Sequence, residues 1–335
     1  MNQTSPSPSP PPLPLPPPPP LPVDVRSSAT FLFLLSGASG LIFETLWSYQ
    51  ATLALGSTSS AITAVLSAFM AGLALGNLLA LRRSVWSLTT YAVLELTILF
   101  TGLAALVVLP RLGGIFAGVF GALADHPALI TLVRFVLAFL VLVVPSTAMG
   151  MTLPALAQAL GGERGSFRSV LGRLYGLNTV GAIAGVLGAE LVFLPTIGVL
   201  GTGACAAVLN GAAAAGAWKL SRHPNVPGLS PEPAWDRKIP RALAPLFLSV
   251  FLAGFALLGL EVVWSRFLSL FIANSSLAFA LMLAIVLSGI ALGGIAGSLA
   301  FIDRSFTFLL LLGAGVLLPI CYGAFPLYKP STETY

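Results

Sequence analysis

The chain has 335 residues, of which 57 % are hydrophobic and only 8 % charged, and its mean hydropathy is +0.96. Soluble globular domains are about a quarter charged, so the composition excludes a soluble fold and points to a membrane protein. The net charge of +5 is scattered over short breaks between apolar runs, which argues against a nucleic-acid surface and fits the positive-inside rule.

Residues 1–28 form a separate regime. The run SPSPSPPPLPLPPPPPLP can adopt polyproline II but cannot build a core, and it lacks the basic start and apolar centre of a signal peptide. It reads as a disordered cytoplasmic tail, either a spacer or a ligand for a proline-binding module. From Ala29 onward, nine apolar runs approach the roughly 20 residues needed to cross a bilayer. They are 29–54, 58–81, 87–109, 128–160, 170–195, 199–218, 242–272, 275–300 and 306–325. The fourth holds Pro145, Gly150 and Pro154, which predict a kink or an early end.

Lys and Arg alternate in density from loop to loop. Arg82 and Arg83, Arg164 and Arg168, and Lys219 with Arg222, Arg237, Lys238 and Arg241 fall on one side, together with Arg26 and Arg304. The opposite loops carry little charge, which predicts a cytoplasmic N-terminus in a multi-pass protein of the inner membrane. The Pro-rich break 219–241 divides a first six-span bundle, 29–218, from a second of three spans, 242–325, followed by a tail, 326–335. A second bundle half the size of the first is either abbreviated or part of a longer fused chain. Cys205 and Cys321 sit in apolar runs and read as small buried hydrophobes, with neither disulfide nor metal spacing.

The most informative feature is a repeat. SGASGLIFETLWSYQATLALGSTSSAITAVLSAFMAGLALG and AGFALLGLEVVWSRFLSLFIANSSLAFALMLAIVLSGIALG align without a gap about 217 residues apart. Gly37 meets Gly254, Glu44 meets Glu261, Trp47 meets Trp264, Ser48 meets Ser265 and Ser59 meets Ser276. The Gly72–Gly76 stretch likewise meets Gly289–Gly293. A helix pair repeated in parallel is the mark of a two-half transporter fold. The predicted architecture is therefore all-α, a polytopic transmembrane bundle of about nine spans, major-facilitator-like with a parallel internal repeat.

Four glutamates, Glu44, Glu95, Glu190 and Glu261, lie inside spans. An ionised side chain at the bilayer centre costs roughly 2.5–3.5 kcal/mol on insertion scales, so each needs a partner, a proton or a polar cavity. Depth counting at about 1.5 Å per residue groups Glu44, Glu190 and Glu261 with Arg134, and leaves Glu95 apart. Two readings stand. In one, Glu44 and Glu261 face a cavity and bind a cation or carry protons; in the other, they are paired to Arg134 or Arg266 and fix packing. Trp47 and Trp264, three residues past the carboxylates, are too deep for interfacial belts, and each needs a partner for its indole N–H. Gly72, Gly76, Gly181, Gly185, Gly188, Gly289 and Gly293 read as helix-packing faces.

No nucleophile–base pair, metal cluster, phosphate loop or dinucleotide turn is present, so no catalytic residue or cofactor is assigned. SGxxGLIxExLW, LGST and FMAGLALG, followed by PSTAMGMTLPALAQAL and GRLYGLNTVGAIAGVLGAELVFLPTIG, resemble the membrane domain of fused major-facilitator/spermidine-synthase-like proteins. The resemblance runs from about Phe31 to Asp303. It implies a membrane module that transports or binds polyamines or another cationic metabolite. Alternatively, it implies a non-transporting anchor for a soluble aminopropyltransferase domain. No residue of this chain matches that enzyme's cofactor loop, so aminopropyl transfer is not carried over to it.

Overall fold

The computed structural model describes residues 23–55, 58–83, 86–160, 164–223, 244–272 and 275–299, with scattered positions between 309 and 323. Among these residues all regular structure is helical. The long helices are α1 (Val23–Leu55), α2 (Thr58–Leu81) and α3 (Leu88–Val108). After two short helices, α4 (Leu112–Ile115) and α5 (Ala117–Ala122), come α6 (Pro127–Leu160), α7 (Arg164–Gly188), α8 (Leu194–Ser221), α9 (Ala244–Leu268) and α10 (Ser275–Leu299). Seven described stretches are long and apolar enough to cross a membrane. The chain is a multi-pass helical membrane protein.

The chain divides into two compact units, residues up to Ser288 and residues from Gly289. In the first, α1 is the central helix, packed against α7, α8 and α2. From Ser36 to Ser48 every residue but Leu41 is buried, as expected of a helix that is apolar all round. Around it α2 packs on α6 and α3 on α8. Phe100, Leu140, Leu200 and Val208 point outward and exposed, a surface suited to lipid rather than water. In the second unit the described residues Leu309, Leu312, Val316, Leu317 and Ile320 are likewise exposed.

Lipid tails are as apolar as leucine, so helix association in a membrane relies on close contact. Gly37 of α1 lies on the Asn178 backbone of α7, while Gly181 and Gly185 of α7 lie on Leu34 and Ala38 of α1. Gly72 and Gly76 of α2 meet Ser146, Thr147 and Gly150 of α6. A Cβ on Gly185 would come within 2.8 Å of Ala38 Cα, and one on Gly76 within 2.8 Å of Gly150 Cα. Gly188 differs: a Cβ there would meet only the Phe193 ring at ordinary contact distance, 3.5 Å.

Several boundaries depart from expectation. The first helix starts at Val23, six residues before the expected start of the span and inside the stretch assigned to the tail. Asp24 in its first turn complements the helix dipole, and the last proline of the run, Pro22, precedes it. The fourth run does not end early. It is one helix, Pro127–Leu160, carrying Pro145 and Pro154 inside it. Ser146, Thr147 and Thr152 bond the carbonyls of Leu142, Val143 and Met149 in the same region, and buried neighbours on α2 hold the helix in place.

The fifth and sixth runs form a continuous helical stretch, Val170–Ser221. At about 1.5 Å per residue its 52 residues would span about 78 Å, more than twice a hydrocarbon core of about 30 Å. The stretch is broken at Gly198, whose φ of 67° and ψ of −176° only glycine adopts readily. The ninth run and the tail 326–335 fall largely or wholly outside the described residues, as do residues 1–22 and most of the linker 219–241.

The glycine contacts generate a contrast. Gly185→Ala should lower the melting midpoint in detergent, corresponding to about 1–3 kcal/mol of overpacking, although alanine is the better helix former. Gly254→Ala, whose Cβ meets nothing among the described residues within 4 Å, should leave the midpoint unchanged or raise it. Differential scanning fluorimetry of the two variants checks this.

Candidate carboxylate site

Glu44 lies at the middle of α1, where the surrounding helices leave it 1 % exposed. Glu261 on α9 is 5 % exposed and lies within electrostatic reach of Glu44. Their serine neighbours are buried as well: Ser48 on α1, and Ser265 on α9, whose hydroxyl donates to the Val262 carbonyl at 3.0 Å. Glu44 Oε1 and Glu261 Oε2 have no hydrogen-bond partner among the described residues.

Glu190 reaches the same region by a different device. It sits in a π-helical turn, Ala189–Phe193, between α7 and α8. Pro195, just beyond, cannot donate to the Leu191 carbonyl, and the chain answers with the wider turn. Glu190 Oε1 accepts a short hydrogen bond from the Ser276 hydroxyl at the start of α10, while Oε2 has no partner among the described residues. Sequence neighbours of the three carboxylates meet in one small apolar cluster. Leu41, three residues before Glu44, packs there with Val186 and Leu187, just before Glu190, and with Trp264, three residues after Glu261. Phe279 and Leu283 of α10 and Ile62 of α2 complete it. An apolar wall beside acidic oxygens strengthens their interaction with any cation that enters, because screening there is weak.

The two expected cations stand elsewhere. Arg134 lies over the Phe120 ring at 5.0 Å, and its Nε has no partner among the described residues. Arg266 is exposed and lines a cleft of about 580 Å³ with Leu55, Ser60, Thr131, Phe135 and Val262. Among the described residues neither arginine is ion-paired to a carboxylate, so the reading in which they neutralise Glu44 and Glu261 gains no support.

Trp47 finds the partner its depth demands: its indole N–H donates to the Gly102 carbonyl at 3.2 Å, and its ring stacks on Phe43. Trp264 packs half-buried against the small cluster instead. The two aligned tryptophans thus have different neighbours. Sequence reasoning missed Ser276 as the partner of Glu190, although the alignment with Ser59 singled it out. It also missed Asn210, a wholly buried amide inside an apolar helix. No family model, curated protein or solved structure matches the chain.

A double-mutant cycle of Glu190→Ala and Ser276→Ala, read as thermal stability, should give a coupling of about 1–3 kcal/mol, in the range of a hydrogen bond to a charged group. Additive effects would mean the bond contributes nothing.

Proposed function

We propose that this chain is the membrane module of a spermidine-synthase-like protein and that it binds or transports a polyamine or similar cationic metabolite at Glu44 and Glu261. What supports the reading is that these two buried carboxylates, aligned in the sequence, lie within electrostatic reach of each other with no arginine to neutralise them among the described residues. An aliphatic amine carries the positive charge that such a pair lacks, and its methylenes suit the apolar wall formed by Leu41, Trp264 and Phe279. Glu190, held by Ser276, adds a third acidic group at the edge of the same cluster. The proposal includes a major-facilitator-like bundle of about nine spans with a parallel repeat, set in the inner membrane with its N-terminus in the cytoplasm.

A second reading, a non-transporting anchor for a soluble aminopropyltransferase domain, draws on the near-complete enclosure of Glu44, which suits a packing role. The two readings separate by experiment. Purified protein in detergent should bind radiolabelled spermidine saturably, and Glu44→Gln/Glu261→Gln should weaken binding at least about tenfold while leaving the melting transition cooperative. Well-folded wild type that binds no spermidine would favour the anchor.

A further inference from the structure

Glu95, which depth counting set apart from the other carboxylates, has its own surroundings. It is wholly buried on α3, and neither carboxylate oxygen has a hydrogen-bond partner among the described residues. Its polar neighbours are the hydroxyls of Ser36 on α1 and Tyr91 one turn back on α3. Neither reaches hydrogen-bonding geometry with it, and Tyr91 Oη donates instead to the Leu32 carbonyl at 3.4 Å.

Asn210 of α8 comes to the same level. Ser39 donates to the Ala206 carbonyl at 2.9 Å, and Gly216 lies against Leu32. That antiparallel register of α1 and α8 sets Asn210, one turn past Ala206, opposite Ser36, one turn before Ser39. Gly211 meets Leu99, one turn beyond Glu95, which brings α8 to α3 at this height. Asn210 is wholly buried, and both its Oδ1 and Nδ2 lack partners among the described residues.

Two wholly buried polar side chains with all four terminal atoms unsatisfied are costly unless something sits between them. The oxygens available are the Glu95 carboxylate, Asn210 Oδ1, and the Ser36 and Tyr91 hydroxyls. We propose that α1, α3 and α8 hold a sodium ion between Glu95, Asn210, Ser36 and Tyr91. The donors are all hard oxygens, as such an ion requires. One carboxylate balances one monovalent charge, whereas a divalent ion would leave a net positive charge in an apolar interior. The site is distinct from Glu44 and Glu261 and does not depend on what those residues bind.

Ion binding to the folded protein stabilises it by mass action, so sodium should raise the melting midpoint. The purified wild type should melt several degrees higher in sodium chloride than in choline chloride at equal ionic strength, along a saturable single-site curve, with potassium less effective. Glu95→Gln, which removes the charge and keeps the shape, should melt in choline chloride no lower than wild type and show no sodium response. Asn210→Ala should shift the sodium midpoint about tenfold toward higher concentration. A second measurement needs no variant: sodium-23 resonances should broaden on adding wild-type protein, and excess lithium or sodium should reverse this. A wild type that ignores sodium in both measurements would overturn the proposal. So would a wild type stabilised by acid to the same extent with and without sodium, which would assign a proton to Glu95, and so would a full sodium response in Glu95→Gln.

Discussion

The structure turns on the cost of placing carboxylates in an apolar bundle. Four glutamates lie buried in helices whose outer surfaces are leucine, valine and phenylalanine, and among the described residues no arginine or lysine offsets them. Each must therefore be lodged where several helices meet, and α1 is the helix on which they depend. It carries Glu44, it supplies Leu41 to the cluster that borders Glu190 and Glu261, and it brings Ser36 to Glu95. Close packing around α1 by glycines of α1 and α7 removes solvent, and the same removal makes these carboxylates demand a counter-charge.

The bundle separates this demand into two places. Glu44 and Glu261 lie within electrostatic reach of each other, Glu190 is bonded to Ser276 of α10, and residues near all three meet in one small apolar cluster. Glu95 of α3 lies beside the hydroxyls of Ser36 on α1 and Tyr91 on its own helix. An acidic pair with an apolar wall suits an extended amine, and an all-oxygen pocket with a single carboxylate suits a small inorganic cation. Were both proposed sites occupied, the central helix they share would give a physical route by which occupancy of one biases the packing around the other.

Much of this was legible in the sequence, and the missing part has one cause. Hydropathy located the helices, and the alignment of the two stretches singled out Glu44 and Glu261, because both carry an expensive residue at the same register. Depth counting grouped Arg134 with the carboxylates, but depth says nothing about the direction a side chain faces, and Arg134 lies over the Phe120 ring. The Glu190–Ser276 bond and the Ser39 bond to the Ala206 carbonyl depend on the register between helices far apart in sequence, which periodicity within one helix cannot supply. The unbroken course of α6 through Pro145 and Pro154 was missed for a related reason. Proline's cost in an isolated helix is offset here by neighbouring helices.

The central claim, that Glu44 and Glu261 share one site without a neutralising cation, can be tested by exchanging one charge. Glu44→Lys should fold, because Glu261 would then supply its counter-charge, and adding Glu261→Gln in that background should destabilise by about 3–5 kcal/mol, leaving a buried lysine alone. The measurement is the melting midpoint of Glu44→Lys beside Glu44→Lys/Glu261→Gln. A clear fall on adding the second substitution is the predicted result. Identical midpoints would show that the two carboxylates do not share a site, and would contradict the account.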